Sequence, residues 1–376
     1  MTSASGRLTV RAISEAEHLA AIRGCAGASY LQCPSWGRMP PHWSPESVGW
    51  FDGPRLVGVG LVLYRRVPLL GSLAYVGEGP VVDWAAWEID DVTTPLLGFL
   101  RERGAFSVKL APDLVLRRWQ VDTLRSALRE GRAKRLRDVP PDAVDETAAA
   151  VAQALQDQGW RQYEAPAPGF GGQMHPRYRS QVPLAEGIDP ERRLDAQWRR
   201  NLRKSRSSGI AVGLGEAADL PLFYGMYLET AARDGFPALP EEFFERLWES
   251  LTSEDAGRIE LYLASREGEA HAAALQTRVG DAVAYIYGAS TTVGRGWRPS
   301  NALQWRMLCD AAASGAAGYD LRGISDTLEP TDPLFGLLRF KLGLGGDAIE
   351  MVGEWDYALR PIRHRVVAAY LGRRSR

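Results

Sequence analysis

The sequence predicts an α/β fold of the α+β kind, with mixed β-sheets in two tandem units. Three observations carry that expectation. The chain has 376 residues, above the usual reach of one hydrophobic core. Its residues are 45% hydrophobic and 24% charged, which supports a sizeable buried interior and excludes disorder as the main state. One order of elements (strand, hairpin, strand, helix, strand) also occurs twice, about 210 residues apart.

In the first half, Arg55–Tyr64 reads as a strand because aliphatic and β-branched residues fill it. Pro68-Leu69-Leu70-Gly71 supplies a turn, and Leu73–Pro80 returns as a second strand. A helix runs from about Thr93 to Arg103, and Phe106–Leu110 closes the unit. In the second half Gly268 sits in a turn, His271–Val279 alternates as a strand, and Asp281 turns the chain into Val283–Ser290. A helix from about Ser300 to Ser314 ends at Gly315 and Gly318, before the strand Tyr319–Arg322. Between the halves, Val139–Ala149 contains Pro and Asp, Ala149–Gln158 looks helical, and a strand lies near Trp160–Glu164. The Gly- and Pro-rich stretch Ala165–Pro176 reads as the linker, which places one domain at 1–178 and the other at 179–349.

Composition also excludes several function classes. The longest apolar run, Leu56–Tyr64, falls far short of the roughly 20 residues that cross a bilayer, and Met1–Ser14 lacks an apolar secretory segment. Cys25, Cys33 and Cys309 are too few and scattered for a disulfide framework or a zinc site, and the five His stand apart from one another. A cytoplasmic, reduced, metal-free monomer is the expectation. Among 45 basic residues only Lys109, Lys134, Lys204 and Lys341 are lysines. A GC-rich genome accounts for such a bias, yet where Arg is the default cation a retained Lys stands out, since it is a compact point charge and Arg a planar fork.

Three stretches can carry chemistry. As one helix, Glu191–Ser208 puts Leu194, Trp198 and Leu202 on a stripe and leaves seven cations within Arg192–Arg206, Arg199, Arg203 and Lys204 among them. That surface is either a solvated Arg-rich face or a track for nucleic-acid phosphates. Glu229–Phe236 ends a helix begun near Leu220–Pro221, with Gly235 as its stop; Arg233 and Asp234 form either a surface ion pair or part of a site. In Asp332–Gly346, Asp332 caps a helix that accepts Pro333 in its first turn. Phe340 and Lys341 then fall at its end, before a glycine-rich turn and the strand Ile349–Trp355. Their plain reading is a core Phe and a Lys at a helix C-terminus.

The repeated element order resembles the acyltransferase fold called GNAT, present here as a tandem pair. Seven collinear blocks further resemble the Fem family (FemA, FemB, FemX) of aminoacyl-tRNA-dependent transferases, in a compact form without a helical arm. They are Gln32 with Trp36-Gly37, Gly79–Trp84, Arg199–Ile210, Thr230–Phe236, Tyr287–Ser290, Tyr319–Ile324, and Asp332–Gly346 with Gly353-Glu354-Trp355. They span nearly the whole chain in the family's order. The resemblance implies two GNAT-like domains, with 350–376 folding back to complete the first. It implies transfer of an amino acid from charged tRNA to an amine acceptor, a peptidoglycan precursor first, with no cofactor beyond that co-substrate. Lys341 is then catalytic, and Phe340, Arg199, Arg203 and Lys204 meet the tRNA. Trp36, Arg38, Arg233 and Tyr287 meet the acceptor. Two positions depart from the family: Pro40 stands where a phosphate-holding Lys is common, with Arg38 nearby, and Ala111 stands where an acid often precedes Pro112.

Three alternatives stay open at the level of sequence. The same chemistry can serve an amine of a peptide or nucleoside natural product. An acetyl-CoA-dependent N-acetyltransferase would need backbone N–H groups cradling a pyrophosphate at Val293–Ser300, where Trp297 is bulky and Pro299 lacks an N–H. A scaffold that binds tRNA or precursor without catalysis would suit the changes at Pro40 and Ala111.

Overall fold

The computed structural model describes residues 8–39, 41–162, 175–184, 187–255 and 257–374. Pro40 and most of the expected linker, 165–174, lie outside the described residues. The chain divides into two compact units. One comprises Met1–Arg117, Val144–Arg177 and Glu350–Arg376; the other comprises Arg118–Ala143 and Tyr178–Ile349. The sequence boundary at 178 keeps 118–143 with the first domain, whereas these residues cluster with the second unit. There Trp119, Val121, Leu124, Leu136 and Val139 share one apolar cluster with Leu338, Leu342 and Ala348.

In the first unit the strands Trp43–Asp52, Arg55–Val67 and Gly71–Val76 form an antiparallel meander. The helix Ile89–Glu102 then leads to Ala105–Leu110, which pairs parallel to Gly71–Val76. Trp355–Tyr357 adds to Ala105–Leu110 antiparallel, as a further strand of the first unit's sheet. The pleat explains the core: Trp50 and Val62 are fully buried on one face, and Val92, Leu96 and Leu100, spaced by four, cover it from the helix. The indole N–H of Trp50 donates to the Val92 carbonyl at 2.8 Å, satisfying the one polar atom it brings inside.

The second unit repeats the pattern. Ile259–Arg266, Glu269–Val279 and Ala282–Ser290 form the meander, the helix Pro299–Ala313 crosses, and Gly318–Gly323 pairs parallel to Ala282–Ser290. Tyr178–Pro183 takes the antiparallel place beside Gly318–Gly323. The sequence reading finds the shared middle of both meanders and omits their first strands.

The basic stretch differs from its expected form. Instead of one helix, Pro190–Arg193 and Ala196–Ser207 are separate, with Leu194 and Asp195 extended between them. The cause is a cap: the Asp195 carboxylate accepts from the Trp198 N–H at 2.7 Å, starting a new helix there. The stripe of Leu194, Trp198 and Leu202 is nevertheless buried throughout.

Candidate active site

In the second unit the helix Phe335–Leu344 carries Phe340 and Lys341. Asp332 caps the turn ahead of it by accepting from the Leu334 N–H at 2.8 Å, so the helix opens at Phe335, two residues later than Pro333 suggests. The glycines beyond Lys341 answer two different needs. A Cβ on Gly343 would lie 2.3 Å from Cδ1 of Trp198, so only glycine admits that indole. Gly345 ends the helix at φ +102°, a left-handed conformation that glycine adopts without strain. Seated there, Trp198 donates its indole N–H to the Phe340 carbonyl at 2.8 Å, and the two rings lie 4.8 Å apart.

Lys341 does lie in the last turn of its helix, as the plain reading has it, but its side chain is buried. It is only 3% exposed, and its ammonium donates to the carbonyls of Gly323 at 2.6 Å and Arg322 at 3.3 Å. Both carbonyls end the strand Gly318–Gly323, where Arg322 adopts φ +61°. A branched or long side chain in this region is strained, and such strain concentrates at functional positions. Asp320 holds the turn by accepting from the Arg322 N–H at 2.6 Å, while its carboxylate pairs with the guanidinium groups of Arg179 and Arg322. Among the described residues Lys341 makes no ion pair. Burial pushes its ammonium down from the ordinary 10.5 to about 7; Asp320 opposes that shift and Arg322 adds to it.

On Ala196–Ser207, Trp198, Leu202 and Ser205 face inward, and Arg199, Arg200, Arg203, Lys204 and Arg206 are exposed. Arg199 donates to the Leu194 carbonyl at 2.5 Å. Arg203, Lys204 and Arg206 make no ion pair among the described residues. Spacing of three and four puts Arg199, Arg203 and Arg206 on one line, with Arg200 and Lys204 beside it.

Arg233 and Tyr287 lie in the same unit, on Leu220–Asp234 and Ala282–Ser290. Arg233 donates to the Ser290 carbonyl at 2.8 Å and pairs with Asp234 at 3.0 Å. Tyr287 stands edge-on to Tyr227, Phe243 and Phe244, with ring centroids 5.2–6.4 Å apart. Its half-buried ring thus forms the rim of an aromatic layer.

In the first unit Trp36 is buried, while Arg38 is exposed and pairs with Glu15 at 2.7 Å. Ala111 is buried; its N–H donates to the Val76 carbonyl and its carbonyl accepts from the Gly79 N–H, both at 3.0 Å. Next to it lies a constellation the sequence reading missed. Glu78, 3% exposed and at φ +50°, accepts from the Ser29 hydroxyl at 2.5 Å and lies 3.0 Å from Nδ1 of His175. Buried Glu354 lies 3.5 Å from both the Lys109 ammonium and the Tyr75 hydroxyl, and the Tyr75 ring stacks on His175. The available signals were Lys109 among four lysines and Glu354 in a matched block; Ser29, Glu78 and His175 are too far apart in sequence to suggest one another.

No described helix is long and apolar enough to cross a membrane. The turn that the acetyl-CoA alternative would need as a pyrophosphate cradle is a 3₁₀ helix, Val293–Trp297, packed so that a Cβ on Gly294 would meet His271 at 2.5 Å. Arg298 follows at φ +63° and Pro299 opens the next helix without an N–H to offer.

The sequence model of the FemAB family matches residues 13–267 and 264–370. The UDP-N-acetylmuramoylpentapeptide-lysine N(6)-alanyltransferase of Weissella viridescens is 27% identical over 334 residues, covering 87% of this chain and 88% of that one. A Lipid II:glycine glycyltransferase of Staphylococcus epidermidis is 22% identical over 424 residues, with 94% of each covered. Among solved structures, the crystal structure of FemX superposes with a TM-score of 0.76 at 20% identity, covering 95% of this chain and 99% of that one. A tandem GNAT protein from the clavulanic acid biosynthesis pathway superposes with a TM-score of 0.51 at 13% identity, covering 94% and 98%. These two likenesses concern the fold, and they agree with the tandem GNAT-like architecture.

Proposed function

The chain belongs to the FemAB family, and on that footing we propose that it moves an amino acid from an aminoacyl-tRNA to an amine of a peptidoglycan-precursor stem peptide. The observation that carries this reading is the buried Lys341 ammonium, held by two carbonyls and by no carboxylate among the described residues. An ammonium has three N–H groups, so after the bonds to residues 322 and 323 one remains to meet an oxygen.

The amine nitrogen attacks the ester carbonyl carbon, and negative charge collects on its oxygen. The amide C–N bond forms as the ester C–O bond to the ribose breaks, and the proton lost by the amine ends on the ribose hydroxyl. The ester is already activated, so the reaction needs only positioning and charge stabilisation. Lys341 supplies that charge near the ester. A low-dielectric surrounding strengthens its effect, because little water competes with it. Phe340 meets the terminal adenine with whatever face its contact with Trp198 leaves open, and Arg199, Arg203 and Lys204 follow the phosphates. Trp36, Arg38, Arg233 and Tyr287 serve the acceptor. Of these, Trp36 acts from a buried position, and Arg233 must offer N–H groups beyond those given to Ser290 and Asp234.

The acetyl-CoA reading loses support from the closed turn at Val293–Trp297 and from Pro299 at the helix start. To test the proposal, the protein is incubated with charged tRNAs and UDP-N-acetylmuramoyl pentapeptide, and product mass is measured. Addition of one aminoacyl residue, abolished by ribonuclease, is expected. Acetylation from acetyl-CoA without tRNA would overturn it.

A further inference from the structure

We propose that one end of the first unit is a docking surface for an anionic lipid bilayer, a role separate from the transfer chemistry. It is built from two elements. The first is the hairpin tip between Arg55–Val67 and Gly71–Val76, where Leu69 is 101% exposed. The second is the start of the helix Pro361–Arg374, where Ile362 is 81% and Val366 52% exposed. Ile362 and Val366 are four apart and so share a helix face.

The two elements are joined. Arg363 donates to the Leu70 carbonyl at 3.1 Å, the Arg360 N–H donates to the Phe106 carbonyl at 2.9 Å, and Nδ1 of His364 lies 2.9 Å from the Ser107 hydroxyl. Gly71–Val76 and Ala105–Leu110 run parallel with Ser72 opposite Ala105, so the hairpin tip and the helix start lie at the same end of the sheet.

Charge selects the occupant. Arg65 and Arg66 flank the tip and are exposed, as are Arg360, Arg363 and Arg365 around the helix start. No carboxylate occurs in the sequence from Leu56 to Gly77 or from Tyr357 to Arg376. The acids near this end include exposed Glu102, half-buried Asp356, which lies within electrostatic reach of Lys109 and His364, and Glu46, which is engaged by Arg103 at 2.8 Å. A cationic surface that also projects exposed aliphatic side chains fits lipid, where arginines meet headgroups and Leu69, Ile362 and Val366 enter the acyl boundary. Nucleic acid would reward the arginines and not the aliphatics. A second copy of this chain would bring the same positive charge against itself.

The test is co-sedimentation with vesicles of phosphatidylglycerol and phosphatidylcholine, against phosphatidylcholine alone, for the full chain. Binding to the anionic vesicles that weakens with salt is expected. Arg66→Gln with Arg365→Gln avoids the Arg363 contact and should lower affinity roughly fivefold per charge. Leu69→Ser with Ile362→Ser, at exposed positions that leave the core intact, should lower it at least tenfold with tRNA binding unchanged. A protein that stays in the supernatant with anionic vesicles overturns the proposal. So does an unaltered Leu69→Ser/Ile362→Ser variant, a loss of tRNA binding in Arg66→Gln/Arg365→Gln with vesicle binding kept, or a dimer in sedimentation velocity that Leu69→Ser abolishes.

Discussion

Replacing Lys341 by Met should make the protein more stable at neutral pH and less stable at high pH. Burial lowers the ammonium from 10.5 to about 7, so between those values the unfolded chain binds a proton that the folded chain has released. Stability contributed by this residue is therefore negative below about 7 and recovers as pH rises through the window. A shift of that size corresponds to about 5 kcal/mol. Against it, Met forfeits the two hydrogen bonds to the carbonyls of residues 322 and 323, at about 0.5–1.5 kcal/mol net for each, or about 1–3 kcal/mol in total. Lys341→Met should thus gain about 2–4 kcal/mol at pH 7 and lose about 1–3 kcal/mol near pH 10.5. Urea unfolding of both proteins across pH 6 to 11, taken as a difference at each pH, isolates this residue from others that titrate there. A wild type more stable at every pH would refute the desolvated ammonium.

Changing Arg199, Arg203 and Lys204 together to Gln should weaken tRNA binding and reduce its log–log salt slope by about 2–3, as expected for that many lost phosphate contacts; an unchanged slope would leave the helix a solvated face. Asp347 is buried and accepts from Arg193, Arg118 and the Val121 N–H, so Asp347→Ala should cost about 3–5 kcal/mol by leaving those cations uncompensated, read by denaturant melts. Burial lowers His18 from 6.5 to about 4, so stability should fall by about 3 kcal/mol as pH drops through that window. His18→Gln should flatten this part of the profile. Gly343→Ala should drive Trp198 off the helix and lower stability by about 1–3 kcal/mol, checked by near-ultraviolet circular dichroism and melting.

The later strands of both meanders and the crossover helices were legible because their patterns are local: alternation in His271–Val279, a turn at Gly268, a stop at Gly315. The break at Leu194–Asp195 was spelled out by an Asp three residues before Trp198, yet the buried stripe runs across it and reads as continuous. Lys341 was noticed for its scarcity, but its burial was not legible, because the carbonyls that hold it lie 18 and 19 residues earlier at the end of another strand. The same distance problem hid Ser29, Glu78 and His175, which meet only once the first unit's sheet has formed. The grouping of 118–143 with the second unit depends on apolar contacts to Leu338, Leu342 and Ala348, a long-range packing fact that no local pattern encodes.

The role given to Lys341 is tested most directly by single-turnover transfer from preformed aminoacyl-tRNA to UDP-N-acetylmuramoyl pentapeptide, comparing the wild type with Lys341→Met. The account predicts a rate about a hundredfold lower in the variant, the usual consequence of removing one electrostatic contact to a developing oxyanion, with acceptor affinity little changed. A well-folded Lys341→Met protein that transfers at the wild-type rate would contradict it.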